Sequence, residues 1–127
     1  MNVPVRTVLV VEDDPLSLEL ISDLLMAAHW RVISVTTGEQ AVVSVASHPP
    51  DVVLLDIGLP GMNGHETMRR IRAQPGREKL TIIGVSAHSM RGDAERAVES
   101  GFDAYITKPL DTRGLVRTIE ETMGRRR

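Results

Sequence analysis

Three unbroken apolar runs, Val8-Leu9-Val10-Val11, Val52-Val53-Leu54-Leu55 and Ile82-Ile83-Gly84-Val85, constrain this chain more than any other feature. They fall far short of the roughly 18 to 20 residues that cross a bilayer. They also lack the alternation of a half-exposed strand. Strands buried on both faces read this way, and such strands belong to parallel sheets flanked by helices. Amphipathic stretches separate the runs, so the pattern is β-α-β-α and the fold class is α/β. Five strands are predicted, at Thr7–Glu12, Arg31–Val35, Asp51–Asp56, Thr81–Ser86 and Asp103–Thr107. Five helices are predicted, at Pro15–Ala28, Glu39–Ser47, His65–Ala73, Met90–Ser100 and Thr112–Met123. The second and fifth strands are the most mixed in polarity, which places them at the edges of a doubly wound sheet of order 2-1-3-4-5, the flavodoxin-like order.

Local signals support the helices. Asp14-Pro15 supplies an N-cap acceptor and a proline at the first helical position, and Thr37-x-x-Gln40 reads as a capping box. Gly101 is placed to cap the fourth helix at its C-terminal end. The fourth helix itself is the weakest of the five, with Gly92 in its first turn and mostly small apolar residues, and it reads as easier to shift than its neighbours.

Composition narrows the function. At 127 residues the chain reads as a single domain over 1–127, with a core from 6 to 124 and a basic tail at 125–127, leaving no space for a separate output module. Cysteine is absent, which excludes disulfide scaffolds, thiol catalysis, CxxC redox chemistry and Cys-ligated zinc. The aromatics are only Trp30, Phe102 and Tyr105, too few for a base-stacking platform. The net charge of −2 falls to −5 without the three terminal arginines, so the body of the domain is not expected to bind DNA. With no spanning segment and no leader-like N-terminus, the expected location is cytoplasmic.

In a doubly wound sheet the ligand crevice lies at the C-terminal strand ends. Those ends carry Glu12, Asp13 and Asp14 after strand one, Asp56 after strand three, Ser86 after strand four and Lys108-Pro109 after strand five. Asp14 is explained by capping. Glu12, Asp13 and Asp56 repel one another unless a cation holds them, and an oxygen-only donor set suits Mg²⁺ or Mn²⁺ better than zinc. The crevice therefore reads as a phosphoryl site. Asp56 is its candidate nucleophile, Lys108 a point charge for the added group and Ser86 a hydroxyl donor. There is no G-x-x-x-x-G-K-[ST] and no G-x-G-x-x-G after strand one. Nor does Asp56-Ile57-Gly58 supply the second carboxylate of an Asp-x-Asp phosphatase. His29, His48 and His65 lack ligand spacing and read as surface residues.

At these residues the chain resembles a response-regulator receiver domain, similar in layout to the chemotaxis regulator. The resemblance covers 6 to 124 and rests on V-L-V-V-E-D-D-P at 8–15, D-I-G-L-P-G-M-N-G at 56–64, G-V-S-A at 84–87 and A-Y-I-T-K-P at 104–109. The stretch S-A-H-S-M-R-G-D-A-E-R also resembles DivK-type single-domain regulators and the receivers of hybrid kinases. The resemblance implies that Asp56 accepts a phosphoryl group from a histidine kinase or histidine phosphotransfer protein, and that the domain catalyses its own phosphotransfer and autodephosphorylation. It implies Mg²⁺ on Asp13, Asp56 and the Gly58 backbone carbonyl, with Glu12 acting through water. Ser86 and Tyr105 become the switch pair, Lys108 the phosphoryl contact, and Lys108-Pro109 a cis peptide. Gly58 and His88 flank the site and are expected to tune phosphate lifetime.

Output is then expected from helix four, strand five and helix five, including Arg91, Asp93, Arg113 and Arg117, which control a downstream protein effector as a monomer or phosphorylation-dependent dimer. A phosphorelay intermediate, a phosphate sink, or a receiver cut from a longer hybrid kinase or regulator are the alternatives.

Overall fold

Every strand of the sheet is parallel, and the order is β2-β1-β3-β4-β5. The computed structural model describes residues 5–86, 93–108 and 114–125. The chain runs β1 (Thr7–Val11), α1 (Pro15–Ala27), β2 (Arg31–Val35), α2 (Gly38–Ser47), β3 (Val52–Asp56), α3 (Gly64–Arg72), β4 (Thr81–Ser86), α4 (Asp93–Ser100), β5 (Ala104–Thr107) and α5 (Leu115–Arg125). The expected α/β class, strand order and edges are all observed. β3 is buried throughout, whereas β2 and β5 are only partly covered.

Period-two geometry divides the apolar runs between two cores. Leu9, Val11, Val53, Leu55 and Ile82 pack with residues of α2, α3 and α4, together with Phe102. Val8, Val10, Val52, Leu54 and Ile83 pack on the other face with Ile21 and Leu25 of α1 and Leu115 and Ile119 of α5. Each strand residue thus contributes to one layer only, and each such burial is worth about 1.5–3 kcal/mol. Among the described residues no helix is long and apolar enough to cross a membrane.

The caps set where the helices begin. Asp14 accepts from the Ser17 amide, as expected for α1. Thr37 caps α2 by accepting from the Gln40 amide, but the reciprocal bond departs from a capping box. Gln40 Oε1 accepts from the Thr36 amide at 2.9 Å, one residue earlier than the pattern requires. α3 starts at Gly64 because Asn63, which the sequence reading passed over, accepts from the Glu66 amide.

Two helices end in the same way. Gly101 (φ +125°) follows α4, with Gly101 N–H donating to Val98 O and Phe102 N–H to Ala97 O, the two bonds of a Schellman motif. α1 repeats the motif with His29 at φ +69°, its N–H on Met26 O and that of Trp30 on Leu25 O. A non-glycine residue at that position is unusual. Trp30 behind it is buried, and the Arg6 guanidinium lies 4.5 Å from its ring centre. α5 extends past the expected end, through Gly124, to Arg125.

Candidate functional site

The strands end in step, and the ladder continues one residue beyond them. Glu12 N–H donates to Val35 O, Ile57 N–H to Val85 O and Lys108 N–H to Ser86 O. Backbone pairing therefore holds Glu12, Asp56, Ser86 and Lys108 at the C-terminal end of the sheet, on neighbouring strands about 4.8 Å apart.

Glu12 is 2% exposed and Asp56 7%, while Asp13 faces solvent. Glu12, Asp13 and Asp56 each offer a carboxylate oxygen, and these oxygens all lie within 4.8 Å of one another. Lys108 sits between two of them, with Nζ 2.5 Å from Glu12 Oε1 and 3.6 Å from Asp56 Oδ2. The other Glu12 oxygen accepts from the Asp14 amide at 3.2 Å. Both Glu12 oxygens thus have protein partners, whereas Asp13 presents its carboxylate to the open side. Asp56 Oδ1 accepts from the Gly58 amide at 2.9 Å, and a Cβ at Gly58 would lie 3.6 Å from that oxygen, so the missing side chain leaves this flank open.

The electrostatics follow from burial. Desolvation is the main influence on Glu12 and pushes its carboxyl up; Asp56 adds to this, and Lys108 opposes it without prevailing. Desolvation also works to lower Lys108, but hydrogen bonding to Glu12 and attraction from Asp56 and Glu12 outweigh it and hold the ammonium above its ordinary value. A net-negative pocket that keeps its lysine charged is suited to a divalent cation and to an oxyanion placed beside that lysine. The donor set is entirely oxygen, so the residues present fit a hard ion such as Mg²⁺.

Ser86 and Tyr105 line one cavity of about 180 Å³ together with Ile57, His65, Arg96 and Ala97. The expected switch pair is thus brought to a shared space beside Asp56. His88 and Pro109 lie outside the described residues, as do Arg91 and Arg113, while Arg117 is exposed on α5. His65 corrects the reading of a surface residue. Its ring packs edge-on to Phe102 at 5.3 Å, and Nδ1 lies 3.2 Å from Ser100 Oγ.

Two glycines shape the site without a sequence signal of their own. Gly64 donates to Ile57 O, and a Cβ there would stand 2.5 Å from Ile57 Cα and 2.8 Å from Asp56 O. A Cβ at Gly38 would meet Thr67 Oγ1 and Met62 O, so α2 and α3 close on each other only because no side chain intervenes. Asx-Gly at a helix start is the one pattern that hints at Gly64, but it does not say against what the helix packs.

Comparison with known proteins gives matches in both sequence and fold. Residues 8–120 match the response regulator receiver domain family. The polar-differentiation response regulator DivK of Brucella ovis is 33% identical over 119 residues, covering 94% of this chain and 97% of that protein. The receiver domain of a sensor histidine kinase from Pseudomonas aeruginosa, whose structure has a magnesium ion coordinated in the active-site cleft, superimposes with a TM-score of 0.86. That domain is 32% identical, and the match covers 95% of this chain and 99% of that one. The signal receiver domain of a modulated diguanylate cyclase from Desulfovibrio desulfuricans matches at a TM-score of 0.82 and 30% identity, covering 97% of both chains.

Proposed function

Because the chain belongs to the response regulator receiver domain family of two-component signalling, we propose that Asp56 is its phosphoacceptor, taking the group from a phosphohistidine on a histidine kinase or histidine phosphotransfer protein. The observation that carries this reading is the convergence of Glu12, Asp13 and Asp56 with Lys108 at the C-terminal end of the sheet. An Asp56 carboxylate oxygen forms the new O–P bond, the N–P bond of the donor breaks, and the electron pair leaves on the imidazole, which takes a proton. Lys108, already 3.6 Å from Asp56 Oδ2, pairs with the incoming phosphoryl oxygens, and the Ser86 hydroxyl donates to another.

Asp13, Asp56 and the Gly58 carbonyl would hold Mg²⁺, with Glu12 acting through water; Mn²⁺ can substitute. The ion supplies charge neutralisation at the phosphoryl oxygens. Glu12's direct partners are Lys108 and the Asp14 amide, which suits an indirect part in binding the ion. Phosphorylation adds negative charge and acceptor oxygens beside Ser86, drawing its hydroxyl toward the acceptor and opening the shared cavity to Tyr105. The α4, β5 and α5 surface then changes its affinity for a downstream protein effector. The proposed compartment is the cytoplasm.

Addition of Mg²⁺ with beryllofluoride or a small acyl phosphate is expected to change Tyr105 fluorescence, and Asp56→Asn to abolish both the change and acid-labile phosphate uptake. An Asp56→Asn protein that responds like the parent, or that takes up phosphate at an acid-stable position, would overturn the assignment.

A further inference from the structure

Arg72 is the last residue of α3, and the sequence alone gives no reason to distinguish it from Arg69 or Arg70. All five of its guanidinium N–H groups are used. Nε donates to Gly101 O at 3.1 Å, and Nη2 to Gly101 O at 2.8 Å and Asp103 Oδ2 at 3.1 Å. Nη1 donates to Glu78 O at 2.9 Å and Leu80 O at 2.8 Å. Asp103 Oδ2 in turn accepts from the Ile82 amide at 2.8 Å. One side chain therefore ties the end of α3, the approach to β4 and the turn between α4 and β5 into a single block. Lysine carries the same charge but cannot supply this planar fork of donors.

The block holds α4 at its C-terminal end. Gly101 completes the Schellman motif of α4, and its carbonyl takes two of the Arg72 bonds. Ser100 adds a second attachment to α3. Its hydroxyl donates to Ala97 O at 2.8 Å and lies 3.2 Å from His65 Nδ1 on α3. Further back along α4, Ala97 is buried, Arg96, Val98 and Glu99 are exposed, and the cavity of about 180 Å³ lies between Arg96 and Ala97 on one side and Ser86 and Tyr105 on the other. A helix fixed at its C-terminal end, with open volume along its inner face, can tilt more readily than it can slide.

We propose that Arg72 is the fulcrum of the phosphorylation response: α4 pivots about Ser100–Asp103 while that turn stays locked to α3. The inference rests on Asp56 as acceptor and adds to it a positioning residue remote from the chemistry. Arg72 sets which part of the output surface moves, and it takes no part in phosphotransfer.

The test is amide hydrogen exchange on the full chain with and without Mg²⁺ and beryllofluoride, in the parent, Arg72→Lys and Asp103→Asn proteins. In the parent, the mimic is expected to change exchange at Ala97 and Val98 but not at Gly101, Phe102 and Asp103, whose amides are bonded to Val98, Ala97 and Ile82. In Arg72→Lys, protection at Gly101 and Phe102 is expected to fall on the order of tenfold before the mimic is added. The mimic-induced change should then extend through the turn, with Mg²⁺ and beryllofluoride affinity retained. Asp103→Asn should do the same to a smaller degree. The proposal fails if the parent's Gly101–Asp103 amides respond as strongly as Ala97. It fails equally if the variants lose protection uniformly, β3 included, or keep the parent's pattern. A response at Asp56 and Ser86 with α4 unmoved overturns the fulcrum alone, whereas no response anywhere overturns it together with the acceptor assignment.

Discussion

Gly64→Ala puts one methyl group against the backbone that carries Asp56, the proposed acceptor. The new Cβ would stand 2.5 Å from Ile57 Cα and 2.8 Å from Asp56 O. Carbon atoms rest at about 3.5–4.0 Å, so relief requires a displacement of about 1 Å. Neither contact is with a flexible side chain, and the movement must come from α3 or from the 56–57 backbone. Overpacking of this kind costs about 1–3 kcal/mol, offset by at most about 1 kcal/mol from the better helix propensity of alanine. The net loss is thus up to about 3 kcal/mol. At about 2.1 cal/mol/K per residue of unfolding entropy, that lowers Tm by up to about 11 °C. The functional effect should be larger in proportion, because a misplacement of about 1 Å at a reacting group costs on the order of 100-fold in rate. The assay is Mg²⁺-dependent labelling of Asp56 by a small acyl phosphate, alongside thermal unfolding. Gly124→Ala is the control, since nothing lies within 4 Å of the Cβ position there and its φ is unremarkable. It should leave labelling unchanged and keep or raise Tm. Parent-like labelling and Tm in Gly64→Ala would refute the argument that the loop is held by that close approach.

Other outcomes follow from the caps and the buried charges. His29→Gly removes a left-handed residue costing about 1–2 kcal/mol; after the greater unfolded-state freedom of glycine is deducted, a gain of about 0.5–1 kcal/mol should raise Tm by about 2–4 °C in calorimetry. Lys108→Met leaves the Glu12 carboxylate without its ammonium partner and should destabilise the fold by about 1–3 kcal/mol at neutral pH. Glu12 is already pushed up by burial, and a raised carboxyl favours folding below its unfolded value and loses that contribution as pH rises through the folded one. The defect should therefore shrink on acidification, as denaturant titrations at several pH values would show. Asp14 is held below its ordinary value by the Ser17 hydroxyl and amide, so its contribution is present above the unfolded value and lost as pH falls through the folded one. Asp14→Ala should lower stability at pH 7 and converge with the parent in strong acid.

The ends of strands were legible in the sequence because a strand-like run that stops at a polar or charged residue marks both the strand and its last position. Glu12, Asp56, Ser86 and Lys108 follow directly from that, and so does the order, since exposure distinguishes β2 and β5 from the rest. Contacts between distant segments left no such mark. Arg72 reaches a carbonyl 29 positions away, and Gly64 is small because of a backbone it meets only after folding. His29 escaped notice for a different reason. Glycine is the usual signal of a left-handed helix end, and here the burial of Trp30 against Leu25 holds the turn in its place. The Thr36–Gln40 bond shows the same limit at short range, because the spacing of a capping box does not specify which amide the glutamine reaches.

The backbone bonds that run one residue past β1, β3 and β5 have an evolutionary consequence. They tie the proposed reactive groups to the lattice of the sheet rather than to the loops that follow, so the loops and the outer faces of the helices can diverge while the distances between carboxylate, hydroxyl and ammonium persist. A lineage built this way can exchange its signalling partners many times over and inherit the same chemistry at each step.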